Sequence, residues 1–269
     1  MIRNFALAIV LCAGIALPLF AQEKGKLPQK ENFWIVMLAG QSNMSGRGTV
    51  KDEDKVSHER VLMMNKAGDW VPAVDPMHFD RGSCGVGPGR TFANLLAEMN
   101  PGITVGLVPT AVGASFIDDW KPGAVSKSTG IKAYDEAIPR MEKALKDGTL
   151  KVILWHQGEA DAGDYKLWAP YKDKLVALVK DFRSKFKSAD CPVVVGEIPQ
   201  PKPVSVIGPG SQKQIKDASI AAVAEMGNAA FASSEGITAM QEDHIHFTRE
   251  SQLEMGKRYF EAYGKMMKK

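Results

Sequence analysis

The sequence predicts a three-layer α/β/α sandwich built on a parallel sheet. Three observations predict it. Short apolar runs read as strands buried on both faces, with no polar alternation. Helical patterns separate those runs, the order expected when helices cover both faces of a parallel sheet. No linker-like stretch or internal repeat divides residues 33–269, so they are read as one domain.

The elements follow in order. Residues 33–39 (FWIVMLA) form the first strand and close at Gly40. Residues 103–109 (ITVGLVP), 151–155 (KVILW) and 192–198 (PVVVGEI) form the next three. Residues 228–232 (NAAFA) form a fifth, less apolar one, completing an expected five-stranded sheet. Helical periodicity falls at 90–99, 131–146, 165–186, 211–226 and 250–267, and Asp147-Gly148 stops the second of these. Sheets of this type carry ligands at the carboxyl ends of their strands, so the segments after the strands are the place to look for chemistry.

Composition narrows the class. The chain has 269 residues, 45% hydrophobic and 24% charged, with 34 Lys plus Arg against 31 Asp plus Glu. A net charge of +3 with no block of like charge argues against a nucleic-acid partner. Three cysteines and five histidines exclude a disulfide scaffold and a cysteine-rich zinc fold. Cys84 and Cys191 are expected to be unpaired and buried.

The first residues read differently. Met1-Ile2-Arg3 is a short positive start, and no charge follows from Asn4 to Gln22. An apolar stretch ending near Pro18 and Ala21 reads as a secretory signal peptide over 1–21, with 22–32 as a polar tether. The competing reading is an uncleaved anchor. The expectation is export to the periplasm or outside the cell, with no stable membrane insertion after cleavage.

Four polar or glycine-bearing clusters follow the strands or precede the last helix: 40–44 (GQSNM), 111–115 (AVGAS), 156–161 (HQGEAD) and 243–248 (DHIHFT). Ser42, just after the first strand, is placed as a nucleophile that presents its hydroxyl and its own N–H to a cleft. A serine nucleophile needs a base, and histidine is the usual one. His246 lies three residues after Asp243, close enough on a turn for the carboxylate to orient the imidazole. An oxyanion needs preorganised donors. The Gly113 N–H and the Gln157 amide supply candidates beside the Ser42 N–H. Glu159 is the alternative acid; otherwise it is expected to hold the Gln157 loop. The Gly-x-Ser-x-Gly elbow is absent.

GQSNMSGRG, AVGASFIDDW, WHQGEAD and DHIHFT together resemble the SGNH (GDSL-like) hydrolases. They are most similar to the sialate O-acetylesterase and acetylxylan esterase branch, carbohydrate esterase family 6. The blocks span nearly the whole mature chain in the family's order. The resemblance implies a flavodoxin-like α/β/α fold, removal of acetyl groups from a glycan, and neither metal nor other cofactor. It implies Ser42 as nucleophile, His246 as base, and Ser42, Gly113 and Gln157 as the oxyanion hole. Asn43, Trp120 and His156 are the expected substrate-facing residues; core packing is the equal alternative for Trp120 and His156. Two positions depart from the family: Ala114 and Ser115 follow Gly113 where Gly-Gly-Thr or Gly-Gly-Ser is frequent, and Ala160 follows Glu159 where serine is frequent.

Other readings stand beside this one. A lipid or thioester esterase would use the same residues, and a non-catalytic carbohydrate-binding protein would not need them. His244 with His246 resembles half of a metal site and needs a third ligand. Gly85, Gly87 and Gly89 lack the spacing of a phosphate loop and read as packing beside the cleft.

Overall fold

The computed structural model describes residues 27–200, 211–237 and 240–268. The signal-peptide reading of 1–21, with Cys12, lies outside the described residues, as does the first part of the tether. The tether's last residues, Lys30–Asn32, form a single 3-10 turn.

Seven strands form one sheet: β1 (Phe33–Gly40), β2 (Val61–Met64), β3 (Trp70–Pro72), β4 (Thr104–Pro109), β5 (Thr149–His156), β6 (Val193–Gly196) and β7 (Ala229–Ala232). Their order is β3-β2-β4-β1-β5-β6-β7, parallel throughout except for the β2–β3 pair. The five expected strands are present, and among the described residues the count is corrected to seven. β2 and β3 escape sequence reading because they are four and three residues long and follow the charged stretch KDEDKVSHER. They pair through a turn that Asn65 closes by accepting the Asp69 N–H at 2.9 Å.

The helices are α1 (Ser42–Ser45), α2 (Gly89–Met99), α3 (Ala133–Asp147), α4 (Tyr165–Trp168), α5 (Tyr171–Lys185), α6 (Ser211–Met226) and α7 (Arg249–Met267). The helix expected over 165–186 is two helices, α4 and α5, because Pro170 sits between them and cannot donate an amide to continue the first. The alternate side chains of β1 divide the core. Ile35, Met37 and Ala39 pack with Met141 of α3, Leu175 and Phe182 of α5, and Ile215 of α6. Val36 and Leu38 pack with Phe92 and Leu96 of α2 and Met255 and Tyr259 of α7. This two-sided burial is why the strands lack polar alternation.

β1 ends against the last residue of β5. Gly40 pairs with His156, has φ of +126°, and a Cβ there would lie 2.1 Å from the His156 carbonyl oxygen. Both the backbone angle and the space demand glycine. Gly40→Ala is therefore expected to cost about 3 kcal/mol or more, lowering Tm by about 10 °C in a thermal melt. A Tm within two degrees or so of the parent would show that the two strand ends part freely.

Candidate active site

The turn after β1 carries Ser42 into the first position of α1, where a backbone N–H has no intrahelical acceptor. Gln41 anchors this turn to the one after β5: its N–H donates to His156 O at 2.8 Å, and its Oε1 accepts the Gly158 N–H at 3.3 Å. The chain after β4 is anchored in parallel, with Val112 N–H donating to Gly40 O at 2.9 Å. The glycine-rich segment after residue 84 is a backbone clamp on the same turn. Gly85 N–H donates to Gly46 O at 3.0 Å, Val86 N–H donates to Gly48 O at 2.8 Å, and a Cβ on Gly85 would lie 2.2 Å from Gly48 O. Arg90 is buried between Asp54 (2.9 Å) and Asp75 (2.7 Å) and is closed to any ligand.

The segment before α7 brings in His246. Asp243 Oδ1 accepts the Ile245 and His246 N–H groups, both at 2.9 Å, which curls the chain into a tight turn. Thr248 caps α7 by accepting the Ser251 N–H. The turn sets His246 Nδ1 at 2.5 Å from Asp243 Oδ2, and His246 Nε2 at 2.8 Å from Ser42 Oγ. Burial pushes the Asp243 carboxyl up, but the two backbone N–H groups and the imidazole together hold it below its usual range. An ionised Asp243 only accepts, so Nδ1 carries the ring proton and Nε2 presents a lone pair to the Ser42 hydroxyl. Ser42 and, some two hundred residues further along the chain, Asp243 and His246 thus form one hydrogen-bonded row.

Glu159 does not reach this row by a direct contact with His246. Its Oε1 accepts from Asn43 Nδ2 at 2.6 Å. Nor does its side chain hold the Gln157 loop, because Asp161 Oδ2 does so at 2.6 Å. Burial pushes Glu159 up to about 7 and Asp161 up to about 6.

Five other residues singled out by the sequence are placed as follows: Asn43 does not face a cleft, Trp120 and His156 take the core-packing alternative, and the Gln157 and Gly113 donors are engaged within the protein. Asn43 is fully buried and hydrogen-bonded within the protein, so it offers nothing to a substrate. Trp120 is 2% exposed, packs edge-on against Trp155 and Phe182, and donates its indole N–H to Ser115 Oγ. It is a core residue. His156 is fully buried beneath the site with Nδ1 2.9 Å from the Tyr259 hydroxyl, and burial drives it down to about 3, so it stays neutral. The Gln157 amide is turned inward: Nε2 donates to Asp161 Oδ2 and to Ser115 O at 3.0 Å, which engages both of its hydrogens. The Gly113 N–H is also engaged, by Asp80 Oδ2 at 2.7 Å.

Asp80 and Arg47 are the residues that sequence reading missed here. Arg47 lies 3.8 Å from Asp80, and a Cβ on Gly113 would come within 2.5 Å of the Arg47 guanidinium. Arg47 stands in the GQSNMSGRG block, where sequence reading gives it no role, and Asp80 lies outside all four blocks. Asp80 is one polar residue in a glycine-rich loop, and only the fold sets it against Gly113. Ala114 holds φ of +57°, the left-handed region that favours glycine. Cys84 and Cys191 are both free thiols.

A hydrogen-bonded Ser42–His246–Asp243 row at the carboxyl edge of a mostly parallel sheet in an α/β/α sandwich fits an SGNH-like hydrolase. A family model described as "Carbohydrate esterase, sialic acid-specific acetylesterase" matches residues 32–265. The chain belongs to that family and is a carboxylic ester hydrolase of the carbohydrate esterases. It is 28% identical over 249 residues to an Arabidopsis thaliana protein named "Probable carbohydrate esterase", covering 85% of this chain and 89% of that one. A solved Arabidopsis thaliana structure superposes with a TM-score of 0.76 at 27% identity, over 87% of this chain and 98% of the other. A carbohydrate acetylesterase from Xanthomonas citri shares the fold, with a TM-score of 0.66 at 18% identity. This similarity covers 87% of this chain and 57% of that one. Among the described residues no helix is long and apolar enough to cross a membrane.

Proposed function

We propose that this protein is an exported carbohydrate O-acetylesterase that removes acetyl groups from a glycan through a serine–histidine–aspartate mechanism. The observation that carries the reading is the 2.8 Å contact of His246 Nε2 with Ser42 Oγ, backed by Asp243 on Nδ1. The charge-free apolar stretch at 4–22 supports export.

The steps follow from the proton inventory. His246 Nε2 takes the hydroxyl proton as Ser42 Oγ attacks the acetyl carbonyl carbon. Asp243 stabilises the imidazolium that forms. The tetrahedral oxyanion lies against the Ser42 N–H and, once the Asp80 carboxylate gives way, the Gly113 N–H. Each such donor is worth roughly 3–4 kcal/mol to the transition state. The imidazolium gives its proton to the departing sugar oxygen, leaving acetyl on Ser42. A water deprotonated by His246 then attacks, and acetate leaves. Gln157 supports this arrangement from below by tying the turn after β5 to Asp161 and Ser115. A cavity of about 360 Å³ is lined by Asp80, which holds the Gly113 N–H, together with Phe79, Pro109, Val112 and Arg140.

The test is acetate release by the exported protein from a panel of acetylated glycans, with p-nitrophenyl esters of rising chain length alongside. Acetyl groups on glycans should be released, short acyl esters should be preferred, and the intact mass should correspond to a chain beginning at Gln22. A preference for long acyl chains would make it a lipid esterase, and retention of residues 1–21 would overturn the export reading.

A further inference from the structure

His246 is held by the two peptide groups that flank it, and a single side chain grips both. Asn43 Nδ2 donates to Ile245 O at 3.0 Å, and Asn43 Oδ1 accepts the Phe247 N–H at 3.1 Å. The remaining capacity of the amide is also engaged: Nδ2 donates to Glu159 Oε1 at 2.6 Å, and Oδ1 accepts from Gln252 Nε2 of α7 at 3.2 Å. Two donors and two acceptors are the full inventory of an asparagine side chain. Asn43 follows Ser42 directly in the chain, so one rigid amide links the turn of the nucleophile to both sides of the base.

Something must keep that amide the right way round, because a flipped asparagine would set its NH2 against the Phe247 N–H. Glu159 does this. Facing Asn43 it presents an acceptor, which selects the NH2 end. Its own surroundings explain why it can be buried there. The Tyr259 hydroxyl donates its one proton to Trp155 O at 3.0 Å, so His156 Nδ1 must donate to Tyr259. His156 Nε2 is then a bare lone pair, without a partner and 3.9 Å from Glu159 Oε1. Glu159 Oε2 is likewise buried without a partner. A proton on Glu159 relieves this crowding of acceptors, in keeping with its upward displacement to about 7. Protonated or not, it keeps an oxygen for Asn43.

We propose that Asn43 and Glu159 are positioning residues: Asn43 sets the imidazole of His246 against Ser42, and Glu159 fixes the sense of the Asn43 amide by accepting one hydrogen bond. The proposal rests on Ser42 and His246 acting as nucleophile and base. It assigns to Glu159 a hydrogen bond that a neutral isostere can reproduce, and not the charge an acid of the triad would need.

The test is p-nitrophenyl acetate kinetics on Asn43→Ala, Glu159→Ala, Glu159→Gln and the pair Asn43→Asp and Asn43→Asp/Glu159→Gln. Asn43→Ala and Glu159→Ala should lose about 100-fold in kcat, the cost of a misplaced catalytic group, with KM within about three-fold. Glu159→Gln should stay within about five-fold of the parent, since Gln Oε1 accepts from Asn43 as Glu does. Asn43→Asp should also lose about 100-fold, because its second oxygen meets both Glu159 Oε1 and Ile245 O acceptor to acceptor, and only the first of these is relieved by Glu159→Gln. Adding Glu159→Gln to it should restore at least about ten-fold, the amide now donating to Asp. This rescue reads the hydrogen bond itself even where the alanine variants fail to fold. Parent-like kcat in Asn43→Ala, no rescue in the double variant, or a Glu159→Gln enzyme as inactive as Asp243→Asn would each overturn the proposal. Full activity in Ser42→Ala would instead overturn the assignment of the site beneath it.

Discussion

Ser42→Ala is expected to abolish ester hydrolysis, lowering kcat by about 10⁴-fold or more, while Tm moves by no more than about two degrees. The two halves of this expectation come from different features. Ser42 Oγ makes one hydrogen bond within the protein, to His246 Nε2, so removing it leaves one imidazole nitrogen without a partner in a partly open site. The turn itself is held by the backbone, through Gln41 N–H on His156 O and Gly46 N–H on Ser42 O, both at 2.8 Å, and neither needs the hydroxyl. The chemistry has no substitute. Ser45 Oγ is buried and faces Ser42 O at 3.3 Å, and Thr110 Oγ1 is buried and donates to Leu38 O at 2.8 Å. A fall in kcat with the melt unchanged would mark Ser42 as the nucleophile. Unchanged kcat would mean that the ester is attacked by something else, and the whole triad reading would fall with it.

The difference between what sequence shows and what it hides is clear at the carboxyl ends of β1 and β5. Strands of this kind announce themselves as apolar runs, so the ends of the long ones, and the polar clusters after them, can be placed directly. The turn before α7 is just as visible, because Asp243 and His246 are three residues apart and their contact is built into the local chain. What sequence cannot show is which way a polar side chain points once it leaves the strand. In β5, Trp155 joins one face of the core and His156 is buried against Phe247 and Tyr259 on the other, although both stand at the same edge as the cleft. Buried neutral histidine and cleft-lining histidine look alike in sequence, since both are polar residues at a strand end. The same holds for Gln157, whose amide turns inward to Asp161, and for Asn43, whose partners lie more than a hundred residues away. Asp80 is the extreme case, because it meets Gly113 only after the loop following β3 folds across the end of β4.

Asp243→Asn is the change that separates the two acids offered by the sequence, and it is expected to lower kcat by about 10⁴-fold. Asparagine keeps Oδ1, so the turn survives with the Ile245 and His246 N–H groups still accepted. The loss is confined to the other oxygen. An amide nitrogen in place of Oδ2 would donate to His246 Nδ1, force the ring proton onto Nε2, and aim an N–H at Ser42 Oγ where a lone pair is needed. The base would then be present, well placed and in the wrong tautomer. The pH dependence has a definite sign. Asp243 is held below the usual carboxylate range in the folded protein, so its support for the imidazole is complete above that range and is lost only as pH falls through its lowered value. Any loss of activity between neutrality and pH 5 therefore does not come from protonation of Asp243. Kinetics of Asp243→Asn beside Glu159→Gln decide the question. If Asp243→Asn retains activity within about ten-fold while Glu159→Gln is inactive, the carboxylate that matters lies on the β5 side and the row seen here is not the working triad.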